Sequence, residues 1–146
     1  MEKILVPVDG SAASQKALAQ ALDLARRYGS EVVVFHVFIE SDIDIYNKFG
    51  VVIDPDMKKL KNKLQENEKK FLDSIVDKFD TTGISLRKKI VSGVAYEEIL
   101  KEAEAGKYDL IVIGQRGYSK IKRFLAGSQT VRVISGATCP VLVVHE

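Results

Sequence analysis

Four short runs limit the architecture more than anything else in the chain: Ile4-Leu5-Val6-Pro7-Val8, Val32-Val33-Val34-Phe35, Leu110-Ile111-Val112-Ile113 and Val141-Leu142-Val143-Val144. They are rich in β-branched residues, and no polar residue alternates with the apolar ones. A strand with one wet face alternates. An unbroken apolar run reads as a strand covered on both faces, as in a parallel sheet between helices. The stretch Ile84–Val91 is weaker and carries Arg87, Lys88 and Lys89. It reads as an edge strand, because charge blunts an exposed edge.

Helical patterns separate these runs. Residues 12–28 have Ala17, Leu18, Ala21, Leu22, Leu24 and Ala25 at helical spacing, with Ser11 as N-cap and Gly29 as the stop. Residues 56–79 put Met57, Leu60, Leu64, Phe71, Leu72, Ile75, Val76 and Phe79 on one stripe and lysines and glutamates on the other, wet face. Residues 94–105 repeat the pattern and end at Gly106. Residues 128–136 should be the last crossover helix, although Val131, Val133 and Ile134 do not favour one. Strands alternating with helices predict an α/β domain with an open parallel sheet and right-handed crossovers. Residues 39–55 form a long link.

At 146 residues the chain fits one domain, residues 1–146. A net charge of +2 speaks against a dedicated nucleic-acid binder. The single cysteine, Cys139, excludes an internal disulfide and a cysteine metal cluster. No apolar run approaches the roughly 18 residues of a membrane span, and the N-terminus lacks a signal-peptide core. A cytoplasmic protein is expected.

In open α/β sheets ligands bind beyond the carboxyl ends of the strands, where the strand order reverses. Strand one leads into Pro7-Val8-Asp9-Gly10-Ser11, strand two into His36-Val37, and strand four into Gly114-Gln115-Arg116-Gly117. Gly114, Gly117 and Gly127 fall in the pattern G-x2-G-x9-G-S. Glycines let backbone N–H groups approach an anion, and Ser128, Gln129 and Thr130 follow as a helix N-terminus with free donors. Lys120, Lys122 and Arg123 add positive charge. This reads as a phosphate cradle; glycines that only form turns and a helix cap would look the same. Neither a P-loop nor a dinucleotide fingerprint is present. Asp9 is read either as a ligand contact or as a turn-stabilising residue beside Gly10. His36, in an apolar strand, reads as a satisfied core histidine, and no catalytic residue or metal ligand is assigned.

The stretches KILVPVDGSAAS, VVVFHV, YDLIVIGQRG, GSQT and CPVLVV, in this order and spacing, resemble the universal stress protein family along the whole chain. The glycine pattern is similar to that of its ATP-binding branch. The resemblance implies a Rossmann-like five-stranded sheet of order 3-2-1-4-5 with helices on both faces. It implies an adenine nucleotide between strands one and four, ATP or AMP/ADP, accompanied by Mg²⁺ or Mn²⁺. Pro7, Val8, Asp9 and Val37 would meet the adenosine end. Gly114, Arg116, Gly117, Gly127, Ser128, Gln129 and Thr130 would meet ribose and phosphates. Gln129 departs from the small apolar residue often found there, but keeps its backbone N–H. The function implied is a nucleotide-dependent stress-response module with at most slow hydrolysis, paired as a homodimer through Val141–Val144, with room for a protein partner that the sequence does not identify. An adenine-nucleotide α-hydrolase and a nucleotide-independent dimeric adaptor are the alternatives.

Overall fold

The computed structural model describes residues 1–39, 55–115 and 129–146. The strands are β1 (Lys3–Pro7), β2 (Glu31–Phe38), β3 (Leu86–Ser92), β4 (Leu110–Gln115) and β5 (Val141–His145). They form one sheet, ordered β3-β2-β1-β4-β5, and every pairing is parallel. The helices are α1 (Ala12–Tyr28), α2 (Pro55–Val76), α3 (Ala95–Ala105) and α4, helical over residues 129–136. The fold predicted from the apolar runs is the one observed.

Strand parity explains why those runs are unbroken. Ile4, Val6, Val32, Val34 and Val112 pack against α1 and α2, among them Leu18, Leu22, Leu72 and Ile75. Leu5, Val33, Phe35, Ile111 and Ile113 face the other way and meet Ile99 and Ala103 of α3 and Val133 of α4. Each buried residue of this size stabilises the fold by about 1.5–3 kcal/mol. Helix α4 forms despite its β-branched residues because Val133 is fully buried against the sheet, and packing outweighs propensity.

The caps of α1 fall where the sequence puts them. Ser11 accepts from the Ser14 N–H, and Gly29 adopts the left-handed conformation at φ 69° while its N–H bonds to Ala25. Helix α2 differs from expectation. It stops at Val76, and only its C-terminal half is packed: Leu60 is 51% exposed while Leu72 is buried. Its 22 residues span about 33 Å, whereas the 8 residues of β2 span about 26 Å, so the helix overhangs the sheet.

The edge strand β3 begins two residues later than its apolar pattern suggests. Its cations do more than blunt an edge. Lys88 pairs with Asp73 of α2 at 2.6 Å, Arg87 with Glu31 of β2 at 2.6 Å and Lys89 with Glu102 of α3 at 2.7 Å. Glu102 also accepts from the Tyr108 hydroxyl at 3.0 Å. Burial pushes the Glu102 carboxyl up, but the hydrogen bonds from Lys89 and Tyr108 outweigh it and hold the group below the ordinary carboxylate range. A carboxylate with a lowered folded-state pKa stabilises at neutral pH and loses that contribution as pH falls. Glu102→Gln is therefore expected to lower the urea midpoint at pH 7, and the gap from wild type should close toward about pH 3. A gap constant across that range would contradict this account.

Candidate functional site

Beyond Leu5 the sheet opens. Strand β1 pairs with β2 through five residues, Lys3 to Pro7, but with β4 only through Ile4 and Leu5. The Val8 N–H donates to the Phe35 carbonyl of β2 and the Lys3 carbonyl accepts from the Asp109 N–H. By the alternation of a strand, even-numbered residues of β1 thus bond toward β2 and odd-numbered ones toward β4. Pro7 falls on the β4 side and has no N–H to donate. The parting of β1 and β4 is thereby built into the chain.

A cavity of about 480 Å³ lies at this parting. Pro7, Val8, Asp9, Val37, Gly114, Gln129 and Thr130, all expected at the site, line it together. Arg116, Gly117, Gly127 and Ser128 lie outside the described residues. Sequence reasoning missed Ser11 of the β1–α1 turn and Ser14 of the first turn of α1, Phe35 and Ile39 of the second strand and its exit, Gly93, Val94, Ala95 and Ile99 around the start of α3, and Ile113 of β4. Reading the exit of β3, as was done for β1, β2 and β4, would have found Gly93-Val94-Ala95.

The lining divides by origin. Most apolar residues come from β2 and around the start of α3, on one side of β1, joined by Pro7 and Val8 at the end of β1 and by Ile113 of β4. Polar groups come from the β1–α1 turn, the first turn of α1 and α4. Asp9 is the one charged side chain among the described lining residues. Its Oδ1 accepts from the Ser11 N–H at 2.9 Å, so it stabilises the turn while standing at the cavity. Ser14 reinforces that turn, donating to the Ser11 carbonyl at 2.9 Å. The Phe35 carbonyl bonds to β1, so the N–H and C=O of Val37, two residues on, turn to the same side, where β1 has ended.

Two further contacts hold the walls. The Thr130 hydroxyl donates to the Gly114 carbonyl at 3.2 Å, tying α4 to β4. Gly114 itself lies under the start of α1: a Cβ there would come within 2.4 Å of the Ala13 backbone. Beneath the turn, His36 is buried, as expected of a core histidine. Its Nδ1 donates to the Val8 carbonyl at 2.8 Å, and Nε2 lies 2.7 Å from Oε2 of Glu68. Glu68, read as part of a wet helix face, is instead half-buried and braces the site from α2. Among the described residues no group of three or more His, Cys, Asp or Glu side chains could hold a metal ion.

An open parallel sheet with a cavity at the reversal of strand order defines a doubly wound α/β fold. Residues 1–145 match the universal stress protein family, and the chain belongs to that family. It is similar to the universal stress protein YxiE of Bacillus subtilis, with 33% identity over 98% of both chains. The protein MJ0577 of Methanocaldococcus jannaschii is 34% identical over 99% of this chain and 95% of its own. Its solved structure superposes with a TM-score of 0.77, covering 99% of this chain and 96% of the other. A universal stress protein from Archaeoglobus fulgidus, solved in complex with dAMP, is 25% identical with a TM-score of 0.61, covering 99% and 98% of the two chains.

The contact at Gly114 yields a test independent of any ligand. Gly114→Ala should destabilise the free protein by about 1–3 kcal/mol, because backbone must move to admit the methyl group. Urea denaturation without nucleotide measures this. An unchanged midpoint would show that α1 does not need glycine beneath it.

Proposed function

We propose that the chain is a cytoplasmic adenine-nucleotide-binding regulatory protein that holds ATP, or AMP and ADP, as a ligand rather than turning it over. The carrying observation is the cavity at the parting of β1 and β4, apolar toward β2 and α3 and polar toward the starts of α1 and α4. A nucleoside phosphate has the same division. The base packs among Val37, Val94 and Ile99, and its edge meets the outward-turned backbone of Val37. The phosphates reach the Gly114–Thr130 side, and the glycine pattern of the sequence assigns Arg116, Gly117, Gly127 and Ser128, outside the described residues, to the same cradle. The relative solved with dAMP supports this reading. The sequence has no P-loop lysine, and no described side chain is placed as a nucleophile or general base, which supports binding over efficient phosphoryl transfer. A divalent ion, Mg²⁺ or Mn²⁺, accompanies the phosphates in this reading and shares their charge. A cytoplasmic location is supported by the lone cysteine; no helix among the described residues is long and apolar enough to cross a membrane.

Calorimetry tests the proposal. ATP and AMP should bind one per chain, and GTP more weakly, by about 1–3 kcal/mol for each buried group left unpaired. EDTA should weaken ATP more than AMP. Gly127→Val should abolish binding while the circular dichroism spectrum is kept. Undiminished binding by that variant, or no binding by the wild type, would reject the cradle.

The same reading includes a homodimer through β5, able to present a nucleotide-dependent surface to a protein partner. Strand β5 is an edge. Leu142 on it is 36% exposed, and Val131 and Ile134 of α4 are exposed nearby in sequence. Unlike β3, it presents Val141–Val144 without a charge. An apolar edge is normally paired or covered, and a second copy of β5 across a two-fold axis does both. Light scattering should give twice the chain mass of 16.2 kDa, and Val143→Lys should give monomer or insoluble protein. A soluble, dimeric Val143→Lys variant would place the interface elsewhere.

A further inference from the structure

Helix α3 has no cap of its own. Its N-cap residue is Val94, which makes no side-chain capping bond. The missing acceptor comes from another helix: Oε1 of Gln129 accepts from the Tyr96 N–H at 2.9 Å. The bond fixes which way the carboxamide points, because only its oxygen can accept. The Arg132 guanidinium, one turn along α4, stacks over the Tyr96 ring at 4.6 Å and holds the two helices in this register. Gln129 also lines the cavity. With Oε1 engaged, the part of the amide left for a ligand is Nε2, whose two N–H groups have no partner among the described residues.

We infer that the Gln129 carboxamide is a side-chain ligand of the bound nucleotide, its Nε2 donating to an oxygen of the ribose–phosphate portion. This inference rests on the nucleotide-binding reading of the cavity and adds a determinant to it. An apolar residue at position 129 would supply a backbone N–H but neither the donor pair nor the α3 cap. Gln129 therefore joins the ligand to the start of α3, which forms the opposite wall.

Two substitutions separate the roles. Gln129→Glu keeps an acceptor for the Tyr96 N–H and places negative charge at a helix N-terminus, so the thermal midpoint should hold or rise. It removes both donors, and AMP affinity should fall at least about tenfold. Gln129→Met removes cap and donors without adding charge; both the midpoint and AMP affinity should fall. Adenosine distinguishes the acceptor: an equal loss assigns the ribose, and a loss confined to AMP assigns the phosphate. If Gln129→Met binds AMP like the wild type, the inference is overturned, and any loss in Gln129→Glu is charge repulsion. Failure of the wild type to bind AMP or adenosine would remove the underlying reading as well, whereas wild-type binding with both variants undiminished removes this inference alone.

Discussion

The parting of β1 from β4 is the constraint on which the rest of the structure depends. A parallel ladder tends to continue while both strands offer donors and acceptors. Here it stops after Leu5, and the next residue of β1 directed at β4 is Pro7, which has no N–H. The same opening lets α1 come down onto β4, because Gly114 has no side chain to keep it away. The cavity thus opens where β1 lacks a donor toward β4, and the missing Cβ of Gly114 brings the start of α1 in as its wall. Its position follows from local chemistry as much as from the overall topology.

The opening is tolerable because the sheet elsewhere is covered on both faces. Strands β1, β2 and β4 carry apolar residues at both parities, and each parity has its own layer of helices. The turn after β1 gains bracing from outside the sheet. Asp9 and Ser14 hold it from within, and His36 with Glu68 holds the Val8 carbonyl from the α2 side. The two sheet edges show contrasting solutions. Strand β3 is tied by three ion pairs to β2, α2 and α3, while β5 relies on apolar residues that this chain alone leaves partly uncovered.

The sheet was legible because burial on both faces leaves a signature that needs no long-range information: Ile4–Val8 and Leu110–Ile113 could be read as buried strands in isolation. The bounds of β3 were less legible, because its cations are neutralised by Glu31, Asp73 and Glu102, residues remote in sequence. The stripe of α2 was misleading for a related reason. Periodicity reports which face of a helix is apolar, not how far the sheet beneath it extends, so Leu60 and Leu72 looked alike. Glu68 sits among lysines and glutamates that are exposed, and only the fold brings it to His36. At the site, residues following β1, β2 and β4 were found by applying the strand-end rule, whereas the exit of β3 lacks a glycine pattern distinctive enough to stand out. The side-chain role of Gln129 could not be read at all, since its acceptor function exists only because α3 lacks a cap 33 residues earlier in the chain.

The described cavity wall has one charged side chain, and it is negative. Among the described residues, attraction for an anion would therefore come from the backbone. Helix α1 starts at the cavity, α3 starts at it from the other side, and the first described residues of α4, Gln129 and Thr130, line it. A helix N-terminus carries roughly half a positive charge in unpaired N–H groups. Such charge differs from that of lysine in being fixed by the fold, with no side-chain entropy to lose on binding. It is also partly cancelled wherever a cap occupies the same donors, as Ser11 does on α1. Helix α3 has its cap supplied by Gln129 from α4, so an N–H at the start of one wall is bonded to a side chain of the other. Position 129 thus bears on both the electrostatics of this site and the contact between its two walls.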